Sequence, residues 1–304
     1  MTKQKDRKTC INAGLAGAAG DVVSRYGSGV KEHIVAYGGV DNETGQTSKR
    51  SLKKISNYNR GNSDALNYDR VTKSQAGFSA EVKEVARRRA EEVIQGKKPT
   101  TVRTDDISGH MNDPLFDITS VISSNGDPIS GASIQMKFMG SSPENAVDKM
   151  LGKSFQKYID NNVKIMVPSD YYDGMKAELQ KKIVSLEKKI ERLKEQGKTD
   201  VLKQAQLDKY KVLDKNLQKS KVSNKEALEA RNTPRLSTAK DVLRTGHRAG
   251  VKQAKTGALK MPVCCTVRLA RKKEVIPISI SAGWMRTWKQ KRHWSSVAIT
   301  ARTY

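Results

Sequence analysis

Two short segments constrain the fold of this chain more than any other stretch. The first reads Asn112-Asp113-Pro114-Leu115-Phe116-Asp117-Ile118-Thr119. The second, beyond a turn, reads Ser133-Ile134-Gln135-Met136-Lys137-Phe138. Strand alternation places Gln135 and Lys137 on one face and Ile134, Met136 and Phe138 on the other. An aspartate on one apolar run beside a Gln-x-Lys on the next is a chemically suggestive pairing. Carboxylate and carbonyl oxygens hold a hard divalent cation. A lysine beside that cation orients water and offsets charge on a phosphate. A half-buried strand with no chemistry shows the same alternation, so the order of the neighbouring elements has to decide.

Upstream, Val82, Val85, Ala86, Ala90 and Val93 recur at helical spacing and predict a helix over Gln75–Gln95, stopped by Gly96 and Pro99. Glu81 falls at the border of its apolar face, where it either points along a sheet edge or pairs on the surface with Lys83 or Arg88. Arg89 lies on the same side, two turns on. Asp105 and Asp106 are further candidate acidic ligands. Leu115–Ile122 is expected as the first hairpin strand, and Ser124-Asn125-Gly126-Asp127-Pro128 as its turn, because Asn-Gly tolerates positive φ. Gly131 suggests a bulge. Ser142 and Pro143 suit a helix start, with the helix running to Tyr158. Val163–Val167 then reads as a buried strand ended by Pro168.

The character changes from Met175. Leu179, Ile183, Leu186, Ile190 and Leu193 alternate spacings of four and three, a seam for a partner helix. A weaker pattern resumes after Gly197 and reaches Leu217. The expectation is an antiparallel coiled-coil hairpin, with one long intermolecular helix as the alternative. The segments proposed are 1–70 (a basic arm, a Gly-rich helix and a basic loop carrying Lys53 and Lys54), 71–172 (the core), 173–220 (the hairpin), 221–258 (a basic helical stretch) and 259–304. The last contains Trp284, Trp288, Trp294, Cys264 and Cys265. It reads either as a nucleic-acid-binding arm, through stacking and phosphate contacts, or as a poorly structured or out-of-frame stretch, since it lacks caps and periodicity.

The formal net charge is +25, from 57 basic and 32 acidic residues. Such an imbalance attracts polyanions, because each neutralised phosphate releases a counterion. Nucleic acid is the first partner class and an anionic membrane surface the second. The cysteines, Cys10 and the vicinal pair, fit a reducing, cytoplasmic setting without structural zinc. Neither the four scattered histidines nor the cysteines show metal-ligand spacing. The apolar run Ile11–Val23 is too short to span a bilayer.

The order helix with Glu81, strand with Asp117, strand with Gln135 and Lys137, helix from Pro143, strand Val163–Val167 resembles the PD-(D/E)xK, or restriction-endonuclease-like, nuclease superfamily. Within it the likeness is to Holliday-junction-resolvase-like and type IV restriction-like members, over roughly residues 75–170. The resemblance implies an α/β fold of mixed α+β character: a three-layer core on a four-stranded mixed sheet, here joined to a helical hairpin. It implies a Mg²⁺- or Mn²⁺-dependent endonuclease acting on DNA, with phage defence or mobile-element biology as the setting and a homodimer as a common state. By position, Asp117 would be the main metal ligand and Glu81 the helical acid. Gln135 would hold metal or water, the Met136 carbonyl would complete the shell, and Lys137 would orient the nucleophile. Gln156 or Lys157 on the later helix, with Arg89, Lys53 and Lys54, would contact phosphates. Gln135 replaces the acid usual in the superfamily, although some of these members use Gln-x-Lys, and it lowers the charge of the site. The alternative functions are a non-catalytic nucleic-acid-binding or assembly protein on a decayed core, and a membrane-associated effector.

Overall fold

A period of two in the burial of one short strand organises the molecule. In β4 (Lys164–Val167), Ile165 and Val167 enter one apolar cluster and Met166 enters another. Successive strand residues face opposite ways, so this strand has a packed layer on each side. The computed structural model describes residues 27–57, 65–122 and 126–259. The expected N-terminal arm and Gly-rich helix, the hairpin-turn residues Ser124 and Asn125, and the Trp- and Cys-containing tail from residue 260 lie outside these. The described residues up to Thr256 belong to one compact unit, whose fold is as follows.

The chain runs through α1 (residues 27–38), α2 (Leu52–Asn57), α3 (Ala65–Ile94), β1 (Thr101–Arg103), β2 (Ile118–Ser120) and β3 (Ile134–Met136). It continues through α4 (Pro143–Met150), α5 (Gln156–Asp160), β4, α6 (Tyr172–Glu195), α7 (Val201–Asn216), β5 (Leu217–Lys219), α8 (Asn224–Asn232) and α9 (Pro234–Leu259). The sheet order is β1-β2-β3-β4-β5. The first two pairings are antiparallel, and β3–β4 and β4–β5 are parallel. The protein is therefore mixed α/β, with a mixed sheet.

On one face, Ala76 and Ala80 of α3 meet Ile118, Ile134, Met136 and Met166, together with Val222 and Ala227. Small alanines let α3 approach the sheet closely. On the other face, Val147 and Met150 of α4, Met175 and Leu179 of α6 and Leu213 of α7 cover Ile165 and Val167. Burying each of these larger side chains contributes about 1.5–3 kcal/mol.

The four-stranded expectation is corrected to five strands. Leu217, whose spacing continues the seam of α7, leaves the helix in an extended conformation (φ −69°, ψ 128°) and opens β5 instead. Its side chain is buried in the α6-side core, and that burial is available from a strand as readily as from a helix. Other limits move as well. Helix α3 begins at Ala65, ten residues before the expected start. The strand expected over Leu115–Ile122 shortens to Ile118–Ser120, with Leu115 and Phe116 packed on the core as loop. The helix expected to reach Tyr158 stops at Met150 and resumes at Gln156 after Gly152 and a 3-10 turn. The basic loop contains α2, which buries Leu52 and Ile55 and exposes Lys53 and Lys54.

Helices α6 and α7 fold back on each other across Gly197, whose φ of +67° favours glycine. Lys176 meets Asp214 at the base, and Lys211 meets Glu187 further out. Ile183, Leu186, Ile190 and Leu207 form a separate small core between them. Among the described residues no helix is long and apolar enough to cross a membrane.

Candidate site at the ends of β2 and β3

Asp117 is pinned by backbone on both sides. Its N–H donates to the Ile134 carbonyl (3.0 Å), and its carbonyl accepts from Thr104 N–H (3.0 Å). The preceding turn is local: the Asp113 carboxylate accepts from the N–H groups of Leu115 (2.8 Å) and Phe116 (3.0 Å), an Asx-type arrangement. The Thr104 hydroxyl donates to the Phe116 carbonyl. These bonds fix the aspartate at the mouth of the hairpin.

The Asp117 carboxylate reaches across to β3. Its Oδ2 accepts the Met136 N–H at 2.8 Å and also the Gln135 side-chain amide. Gln135 Nε2 additionally approaches the Met136 carbonyl at 3.4 Å. Lys137 continues the parallel pairing, its N–H donating to the Met166 carbonyl at 2.8 Å. Its ammonium stands 5.0 Å from the Tyr158 ring centre. The Lys157 ammonium is 4.8 Å from the same ring and donates to the Pro114 carbonyl. Two cations thus flank one aromatic ring near Asp117.

Glu81 joins from α3. It is buried, and Arg103 Nη2 lies 3.3 Å from its Oε2. Burial and then the negative charge of Asp117 push the Glu81 carboxyl up to about 8. Burial also raises the Asp117 carboxyl, against the opposing pull of Lys137 and of the Met136 N–H. Asp117 is therefore close enough for its charge to act on Glu81 and for that of Lys137 to act on it. The surface pairing of Glu81 with Lys83 or Arg88 does not occur: Lys83 bonds Asp241, and Arg88 bonds Glu84.

The donor set bears on a cation. Glu81 and Asp117 supply carboxylates, and Gln135 and Met136 supply carbonyl oxygens, all hard oxygen donors of the kind that suit Mg²⁺ or Mn²⁺. Among the described residues no group of three or more His, Cys, Asp or Glu is arranged to hold a metal ion. A cation here would thus need the two carbonyl oxygens, with the Gln135 amide turned over to present its oxygen. With that rotation the donors would match a hard cation in kind.

The expected phosphate contacts fare unevenly. Arg89 is engaged by Glu32 through Nε (2.5 Å) and Nη2 (3.3 Å) and by the Thr101 carbonyl, away from this site. Gln156 bonds Asp160 within its own helix. Lys157 stands beside the site, and Lys53 and Lys54 are exposed on α2.

No pattern in the sequence marks Arg103. It is 3% exposed and bonds Asp105 (Nη2–Oδ2 2.6 Å) as well as Glu81. Its β1 carries a single apolar residue and so shows no alternation. A second polar cluster is likewise unmarked in the sequence. Lys83 and Arg87 of α3 converge on Asp241 of α9, and Arg87 makes a bidentate pair with Glu226.

No protein family, curated protein or solved structure matches the chain.

Proposed function

We propose that the protein is a divalent-cation-dependent DNA endonuclease whose working groups are Glu81, Asp117, Gln135 and Lys137. The observation that carries this reading is the nearness of two buried carboxylates, Glu81 of α3 and Asp117 just before β2, with Lys137 just after β3: the Asp117 charge acts on Glu81 and the Lys137 charge on Asp117. A buried acid whose proton affinity is raised by burial and by a neighbouring carboxylate is relieved by a cation between them. When bound, Mg²⁺ or Mn²⁺ would polarise the phosphodiester and acidify water. The chain's own groups have separable tasks. Lys137, held beside Tyr158, would orient the attacking water and offset phosphate charge. Lys157 would contact a neighbouring phosphate. The exposed lysines of α2 would add affinity without reading sequence. Asp117→Ala and Lys137→Ala should each abolish metal-dependent cleavage of plasmid and branched DNA while retaining DNA binding. Cutting that persists in both variants rejects the assignment.

A second reading, a non-catalytic nucleic-acid-binding or assembly protein, is favoured by one specific contact. The Gln135 amide donates to Asp117, so an internal donor occupies an oxygen that a cation would use. Under this reading DNA affinity falls steeply with salt, is indifferent to Mg²⁺, and no cleavage appears.

A further inference from the structure

The outward sides of α1 and α9 carry apolar seams that no described element covers. On α1 the seam is Val30, Ile34 and Tyr37, spaced four and three apart. On α9 it is Leu236, Ala239, Leu243, Gly246 and Gly250, spaced alternately three and four. Ile34 is 51% exposed and Leu243 is 71% exposed. The two helices run antiparallel: Tyr37 meets Arg235 at one end, and Gly29 lies against Thr245 towards the other. Between them is an open groove of about 420 Å³, walled by Ile34 and Tyr37 of α1 and by Ala239, Val242 and Leu243 of α9. Its one charge among the described residues is Arg235, which donates to the Tyr37 hydroxyl at 3.1 Å. Neighbouring cations of α9 turn to α8, where Lys240 pairs with Glu229 and Arg244 with Glu226. Seams of this spacing pack against a partner helix, as Ile183, Leu186 and Ile190 of α6 pack with Leu207 of α7. A contiguous apolar face cleared of charge marks a contact surface.

Spacing, tether and area point to one occupant. The chain carries a third seam of the same kind: Ile11, Leu15, Ala18 and Val22, spaced four, three and four. Asn12 and Asp21 are the only polar side chains in residues 11–23, and neither belongs to that seam. Residues 24–26 alone separate this stretch from α1, the length of an αα-hairpin link. So short a tether sets an effective concentration on the order of millimolar. As a helix, the stretch from Ile11 to Val22 would measure about 17 Å, against about 21 Å for the α9 seam. The face is too small for a second copy of the chain: two adjacent helices of that length present roughly 400 Å², about half of what each partner buries in a stable interface.

We propose that residues 11–23 of this chain fill the groove as a helix antiparallel to α1, completing a three-helix bundle with α1 and α9. Leu15 then lies near the level of Ile34 and Ala239, and Ala18 near that of Leu243. The small residues Ala239, Gly246 and Gly250 on α9, and the alanines and glycines of residues 13–20, allow close axial approach. The proposal is independent of the cation site and of the nuclease reading.

Proximity crosslinking of the full-length protein tests it. In a background with Cys10, Cys264 and Cys265 replaced by Ser, Ala18→Cys is combined with Leu243→Cys. The control combines Ala18→Cys with Val201→Cys, 74% exposed at the start of α7. A short bis-maleimide should join the first pair within one chain at a yield at least fivefold above the control. Leu15→Cys with Ala239→Cys should behave like the first pair and covers a loss of folding there. Ile34→Asp, at an exposed position, should bring the yield of both pairs down to the control. Control-level yields in both pairs, or yields that Ile34→Asp leaves unchanged, overturn the proposal. A product of doubled mass in their place assigns the groove to a second copy and overturns it too. Control-level yields with co-sedimentation on phosphatidylserine vesicles overturn it in favour of a membrane surface for residues 11–23.

Discussion

The carboxylate of Asp117 accepts the backbone N–H of Met136 at 2.8 Å. A single side chain thereby closes the open end of the β2–β3 pairing, where the ladder itself is short: only Ile118 and Ile134 are paired in register. The same oxygen is the one proposed to serve a cation. Structural and chemical duties therefore compete at one atom.

That competition makes Asp117 substitutions informative. Asp117→Ala leaves the Met136 N–H without its acceptor and should lower unfolding free energy by about 1–3 kcal/mol. Asp117→Asn keeps an acceptor oxygen and should lose less. Urea denaturation of the two variants measures the difference. Equal stability of Asp117→Ala and wild type would show that the bond is not maintained in solution.

Glu81 gives a pH signature. Between its ordinary pKa of 4.5 and the raised value of about 8, the folded protein holds a proton that the unfolded chain has released. Stability should therefore fall as pH rises across that window. Glu81→Gln, which mimics the protonated form, should flatten this part of the profile and be the more stable protein above pH 8. Parallel thermal profiles for the two proteins from pH 5 to pH 9 would contradict the burial of this carboxyl.

Cation binding should release protons, because the carboxylates must ionise to coordinate. Titrating Mn²⁺ into the wild-type protein at pH 7, in buffers of different ionisation enthalpy, should reveal net proton release that is lost in Glu81→Gln. Gln135→Glu adds a third carboxylate beside Asp117 and should tighten Mn²⁺ binding about tenfold or more, since one added charge-assisted ligand contributes more than ~1.4 kcal/mol. Unchanged affinity would place the cation elsewhere or nowhere.

The Lys83–Arg87–Asp241 cluster joins α3 to α9. Burial alone would raise the Asp241 carboxyl, yet Arg87 and Lys83 hold it below the usual carboxylate range. Asp241→Ala leaves the buried Lys83 without a carboxylate and Arg87 with Glu226 alone, and should cost about 3–5 kcal/mol. Lys83→Met should cost less, because Asp241 keeps Arg87 (Nη2–Oδ1 2.7 Å). Equilibrium denaturation ranks the two, and a reversed order would mean that the cluster is open to water.

Much of the fold was legible because it follows from local patterns. The α6 seam of Leu179, Ile183, Leu186 and Ile190 buries as its spacing requires. Ser142 caps α4 through the Asn145 N–H. The alternation at Ile134 and Met136 sends both side chains to the α3 face. What escaped has two causes. Strands β1 (Thr101–Arg103) and β5 (Leu217–Lys219) each carry a single apolar residue, so, unlike Ile134 and Met136 of β3, they show no alternation. Helix α9 was hard to place because its buried side is polar: Ser237, Asp241 and Thr245 point inward while Leu236 and Leu243 are exposed. No hydrophobicity rule anticipates an inward face stabilised by ion pairs.

The amino-acid sequence by itself determined the strand faces, the main helices and the strongly cationic balance, since each depends on neighbours a few residues apart. It also supplied the candidates Glu81, Asp117, Gln135 and Lys137. Only the tertiary structure decided which distant groups meet. Arg103 lies against Glu81, Asp241 neutralises Lys83 and Arg87, Glu32 occupies Arg89, and Gln135 turns its amide on Asp117. Charge pairing acts through space and falls off within a few ångströms, so its partners are set by how the layers stack and not by spacing along the chain.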